Sequence, residues 1–216
     1  MYLAWLLYLV SSMYSIADNK INYDEIVACL KSGGIIIYPT DTAYALGCDA
    51  TNEAAVEKIF KIKGRAVGKT LPLIMADASM AKDWARFSAV AEKLARQYWP
   101  GPLTLVLPVK KVGLAAAVMA GDFIALRVPA RAVARTVSRH LGQPLVCTSA
   151  NAAGAGPFYN VKDVKKSLSA PLALIDHIID VGELPPQRVS TMVKVWDNTC
   201  ELLRRGAIDF KMIENA

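Results

Sequence analysis

The chain has 216 residues, 54% of them hydrophobic and 20% charged, with a net charge of +6. That length suits one medium domain with a full core, and the composition excludes a disordered protein. The positive balance is compatible with a nucleotide, a nucleic acid or another anion, without requiring any of them.

The first 20 residues, MYLAWLLYLVSSMYSIADNK, hold an apolar run of about ten residues, too short to span a bilayer. No Lys or Arg precedes that run, which argues against a signal peptide. Residues 1–20 are therefore expected to be an extension or a mis-assigned start, and 21–216 the working domain. Asn22-Tyr23-Asp24-Glu25 reads as a capping box opening a helix to about Lys31, stopped by Gly33-Gly34. A buried strand over 34–38 follows, and then the polar stretch YPTDTAYALG, 38–47, expected as a loop at a strand end. Thr51-Asn52 caps a second helix with the apolar stripe Val56, Ile59, Phe60, ending near Lys63.

Pro72–Met75 is predicted as a short strand, and Asp77 and Ser88 as helix caps. Strands are predicted at Leu103–Leu107, Phe123–Val128 and Pro144–Thr148, with an amphipathic helix over 130–141. Asn160 begins another helix. Val189–Trp196 and Glu201–Arg204 should pair across Asp197-Asn198 as a hairpin. Helices and strands alternate throughout, so the class is α/β with a mostly buried, twisted sheet. Ligands in such sheets gather where loops leave the strand ends.

The usual catalytic side chains offer little. Cys29, Cys48, Cys147 and Cys200 are too scattered for a zinc site, and Cys29 and Cys147 sit in apolar runs that predict small buried residues. His140 falls at a helix C-terminus, and neither it nor His177 suggests a triad or a metal site. Gly64-Arg65-Ala66-Val67-Gly68-Lys69-Thr70 ends like a P-loop but has three residues between its glycines instead of four, and it follows a helix. Lys63 and Arg65, at that helix end, can point into a shared cleft as a point charge and a bidentate fork suited to phosphate or carboxylate. Thr148-Ser149-Ala150-Asn151 places small polar residues at another strand end, where a simple turn is the alternative.

Read in order, YPTDTAYALGCDA, KIFKIKGR, WPGPLTLVL, ALRVPA, TSAN, VSTMV and LLRRGAI resemble the YrdC/TsaC family of threonylcarbamoyl-AMP synthases, in its single-domain type, over residues 22–209. The resemblance implies a twisted, open mixed sheet with flanking helices and a positively charged concave cavity. It implies a cytoplasmic enzyme that condenses L-threonine, bicarbonate and ATP to threonylcarbamoyl-AMP and pyrophosphate. The product would serve a tRNA threonylcarbamoyl transferase complex, which modifies the adenosine next to the anticodon. ATP enters as substrate with magnesium expected, and neither a tightly bound cofactor nor a dedicated metal site is implied.

Matched onto this sequence, the motifs place Thr40, Thr42, Arg127, Ser149 and Ser190 around threonine. Lys63, Arg65, Asn151 and Arg204 fall around ATP, with Lys63 and Arg65 as the catalytic pair on the phosphates. Asp41 reads as a turn-stabilising residue or a contributor to magnesium binding. The chain departs from the family pattern at Ala45, where glycine is usual, and at Ala66, Thr70, Ala153 and Arg205. The rival reading is a module of the same fold that binds double-stranded RNA or tRNA.

Overall fold

The computed structural model describes residues 21–64, 70–168, 170–197 and 199–215. The extension 1–20, Arg65, Ala66, most of the P-loop-like stretch and Asn198 lie outside the described residues. The chain order is α1 (Tyr23–Lys31), β1 (Ile36–Pro39), β2 (Tyr44–Gly47), α2 (Glu53–Lys63), β3 (Leu73–Ile74), α3 (Ala78–Trp84), α4 (Ala89–Tyr98) and β4 (Leu103–Pro108). It continues through β5 (Met119–Ala120), β6 (Phe123–Arg127), α5 (Ala132–Leu141), β7 (Leu145–Val146), β8 (Thr148–Ser149), α6 (Val161–Ser167), β9 (His177–Ile178), β10 (Thr191–Trp196), β11 (Thr199–Arg204) and α7 (Phe210–Glu214).

The caps read from the sequence are the caps of the structure. Asn22 Oδ1 accepts the Glu25 amide at 3.2 Å, and the reciprocal contact runs between side chains, with Asn22 Nδ2 donating to the Glu25 carboxylate at 3.4 Å. Asn52, Asp77, Ser88 and Asn160 cap α2, α3, α4 and α6 in the same way. Each side-chain oxygen takes an amide that the first helical turn leaves unpaired.

The strands form mixed α/β architecture in two ladders. One runs β8-β2-β1-β9, the other β11-β10-β4-β6-β3-β7, with β5 added on β6. Ile35 and Ile37 pack into the larger core, while Ile36 and Tyr38 pack into a second core with α1 and α5. A strand buried on both faces has no polar alternation, which is why Gly34-Ile35-Ile36-Ile37 is apolar without a break.

Two expectations change. Residues 38–47 are a tight β-hairpin, not a loop: Tyr38 pairs with Ala45 and Pro39 with Tyr44 in antiparallel register. Both strands are buried, so β2 carries no alternating signature either. Residues 144–148 are two short strands. Leu145 and Val146 pair with β3 in one ladder, and Thr148 and Ser149 pair with β2 in the other. The chain changes ladder at Cys147, whose amide donates to Pro72 O at 2.8 Å. Gly47 sits where the ladders close on each other, since a Cβ there would press on the Tyr38 ring and Val146 O.

Candidate functional site

A cavity of about 380 Å³ opens between the two ladders. Its roof is the β1–β2 turn and β8, and its floor is the ends of β4, β6, β10 and β11. At this seam Thr40, Thr42, Arg127, Ser149, Ser190 and Arg204 converge from five separate stretches of sequence. Ile74, Ala45, Cys147 and Met192 supply its apolar wall.

One end is built on Arg127, at the end of β6 and 4% exposed. Its Nε donates to Gly101 O at 3.0 Å and its Nη1 to Thr42 Oγ1 at 3.4 Å. Its Nη2 lies 2.6 Å from Asp41 Oδ2 in an ion pair. The turn that carries Asp41 is held by Thr40, whose buried Oγ1 accepts the Thr42 and Ala43 amides at 3.1 Å each. Thr40 therefore does the turn-stabilising work that the sequence assigned to Asp41, and Asp41 is committed to Arg127 instead of a metal.

The other end is built on Arg204. Its Nε and Nη2 donate to Ser190 O at 3.1 and 2.9 Å, and Nη2 also reaches Ser190 Oγ at 2.7 Å. Ser190, itself buried, shares a 2.8 Å hydrogen bond with Thr104 Oγ1 from β4. Partial desolvation, and then the like charge of Arg127, pull the Arg204 pKa downward, although a guanidinium stays charged at any working pH.

Lys63 and Asn151 do not line the cavity. Lys63 is 4% exposed and donates to Ser149 O at 2.7 Å, Asn151 O at 3.1 Å and Asn151 Oδ1 at 2.9 Å. Asn151 Oδ1 also accepts the Ser149 hydroxyl, and its Nδ2 donates to Ala155 O. The ammonium expected to face phosphates thus braces the 149–151 turn from behind. A buried lysine needs such partners, because an unpaired charge there is very costly. Its expected companion Arg65 lies outside the described residues.

The lining residues that escaped the sequence reading include Thr104, Met192 and Cys147. Thr104 sits in a run of apolar strand residues, and its lone hydroxyl among them was the only sign of a role. Met192 carries no signal beyond strand alternation. Cys147, expected as a buried core residue, is half-buried and lines the cavity; Cys29 is half-buried too. Burial raises the Cys147 thiol pKa above its ordinary value, with a smaller opposing pull from Tyr38 and Arg127. Ala45 is a paired residue of β2, and its φ is not positive, since Asp197 is the non-glycine residue with positive φ among those described. Alanine therefore fits there without backbone strain.

Two fixed cations, several hydroxyls and one apolar wall in the same cavity suit a small amphipathic anion beside a second anion. Among the described residues no three His, Cys, Asp or Glu side chains converge as metal ligands. The described residues therefore offer no cluster of carboxylates to cage a divalent cation.

Comparisons with known proteins bear on the family and the fold. The family model for Sua5, YciO and YrdC, described as "Telomere recombination", matches residues 28–206. The threonylcarbamoyl-AMP synthase of Idiomarina loihiensis is 41% identical over 163 residues, covering 72% of this chain and 86% of that protein. The structure of P. abyssi Sua5 complexed with L-threonine superposes with a TM-score of 0.81 at 31% identity, over 89% of this chain. This chain spans only 56% of that longer protein. E. coli YciO superposes with a TM-score of 0.77 at 29% identity, covering 88% of this chain and 91% of its own. The chain belongs to the Sua5/YciO/YrdC family.

Proposed function

We propose that the protein is a threonylcarbamoyl-AMP synthase, taking L-threonine, bicarbonate and ATP. The carrying observation is a cavity lined by two guanidiniums, Arg127 and Arg204, together with the hydroxyls of Thr40, Thr42, Ser149 and Ser190. The threonine amine and bicarbonate would combine to a carbamate with loss of water. A carbamate oxygen would then attack the α-phosphorus of ATP, and pyrophosphate would leave with its bonding electron pair. Both partners are anions, so the barrier lies in charge repulsion and orientation, which fixed cations and hydroxyl donors reduce. No side-chain nucleophile is called for.

In this reading Arg127 and Thr42 hold the threonine carboxylate, with Thr40 supporting the turn. Ser149 and Ser190 orient the reacting groups, and Arg204 attracts the nucleotide. Lys63 and Asn151 act by shaping the 149–151 turn, and Arg65 keeps the phosphate-binding role that its motif implies. The product would pass to a tRNA threonylcarbamoyl transferase complex in the cytoplasm. Among the described residues no helix is long and apolar enough to cross a membrane.

The test is pyrophosphate release by the pure protein given ATP, threonine and bicarbonate. Release should require threonine and bicarbonate together. Release that ignores threonine, or tight binding of double-stranded RNA with no release at all, would reject the proposal.

A further inference from the structure

The two guanidiniums of the cavity are not electrostatically equivalent. Arg127 has a carboxylate at 2.6 Å, with side chains 5% and 14% exposed. Among the described residues Arg204 has no acidic partner: its donors go to the carbonyl and hydroxyl of Ser190. Arg127 is also anchored at Nε by Gly101 O, and its Nη1 lies beside the Thr42 hydroxyl, which lines the cavity.

Asp41 is not spent on its own turn. Thr40 caps the turn, whereas Asp41 Oδ2 takes Arg127 and the Ala130 amide at 3.3 Å. Its other oxygen, Oδ1, is buried with no hydrogen-bond partner among the described residues. A carboxylate with one buried, unpaired oxygen costs stability, and its 2.6 Å pairing places its charge chiefly on Arg127, with a longer-range pull on Arg135.

We propose that Asp41 sorts the two anions: by offsetting most of the charge of Arg127, it leaves that end selective for a monoanionic carboxylate and unattractive to polyphosphate. A carboxylate needs one N–H and the Thr42 hydroxyl, both of which remain. A triphosphate gains most from uncompensated cations and goes to the Arg204 end. The discrimination is a repulsive element built against the wrong occupant. Asp41 does not line the cavity, so it is a positioning and specificity residue that acts through Arg127. This inference rests on the reading of Arg127 as the carboxylate ligand.

The experiment compares wild type with Asp41→Asn, Asp41→Ser and Asp41→Glu. Threonine binding is measured by calorimetry with and without pyrophosphate, beside steady-state KM values for threonine and ATP. In the wild type, pyrophosphate should leave threonine affinity unchanged. In the two neutral variants it should compete with threonine, and high ATP should inhibit in the same way, with threonine KM up roughly tenfold and ATP KM steady. Asp41→Glu keeps the charge and should show no such competition.

Neutral variants that fold and bind threonine without pyrophosphate competition would overturn the inference. If neither neutral variant folds, competition by pyrophosphate in Asp41→Glu would overturn it, and its absence beside a raised threonine KM would support it. A wild type that releases no pyrophosphate from the three substrates rejects the proposed function instead. That outcome is distinct from an active wild type matched by its neutral variants.

Discussion

The Arg127 end and the Arg204 end of the cavity reach the same chemistry, a guanidinium beside a hydroxyl, by opposite means. Arg127 is buried, ion-paired and tied to backbone, and it stands where four separate segments meet. Arg204 lies at the end of an outer strand and holds on through one residue, Ser190. The first arrangement makes the arginine part of the fold as well as of the site. The second leaves it free to be tuned with little cost to the fold.

The largest expected effect separates these roles. Arg127→Ala should abolish threonine-dependent turnover and also destabilise the protein by about 3 kcal/mol, because Asp41 is left as an uncompensated buried charge. Arg204→Ala should raise the KM for ATP roughly tenfold, by loss of a charge-assisted contact, and leave the melting temperature unchanged. Equal melting temperatures for the two variants, measured by thermal denaturation, would break the comparison.

Next in size is the hinge of the Arg204 end. Ser190→Ala removes the group on which both Thr104 and Arg204 converge, and should lower kcat/KM about tenfold. Thr104→Val keeps the shape and the Arg204 contact, and should cost about threefold. If Thr104→Val is the more damaging, Thr104 touches substrate directly. Gly206 lies behind this hinge: a Cβ there would run into the backbone of Val189, Ser190 and Thr191. Gly206→Ala should therefore weaken ATP binding through the displaced Ser190, read as a rise in ATP KM, without altering the pyrophosphate independence of threonine binding.

The smallest effect is at Cys147, near the Arg127 end. Its thiol pKa is raised, so the reactive thiolate is scarce at neutral pH and becomes commoner only as pH rises past the ordinary thiol value. Alkylation by iodoacetamide, mapped to Cys147 by mass spectrometry, should be slow at pH 7 and climb steadily above pH 9. Threonine should protect the residue, and fast modification at neutral pH would mean that the cavity wall is wetter than this structure shows.

Local chemistry was legible where the partners are neighbours in sequence. The caps at Asn22, Asn52, Asp77, Ser88 and Asn160 each need only an amide two or three residues on. The β10–β11 hairpin needs only a turn between two strands. The failures share one feature, long range. The β2 strand has no alternation because β1, β8 and the two cores bury both its faces. The break at Cys147 exists because two ladders claim adjacent residues.

Among site residues, Thr40, Thr42, Arg127, Ser149, Ser190 and Arg204 were nameable from motifs, and the structure brings them to one cavity. How the fold holds each of them there was not nameable. Lys63 carries the charge of a phosphate ligand, yet its ammonium donates to a turn 86 and 88 residues away. Thr104 looked like a strand residue among leucines until β10 placed Ser190 beside it.

By itself, then, the sequence determined helix starts, one hairpin, the α/β class and the inventory of cations and hydroxyls, because these depend on residue type and near neighbours. Only the tertiary structure decided that the strands form two ladders with a cavity between them, and that Asp41 belongs to Arg127 and not to its own turn. Both outcomes depend on burial and charge pairing between segments far apart in the chain, where an ion pair is set by which groups the fold removes from water together.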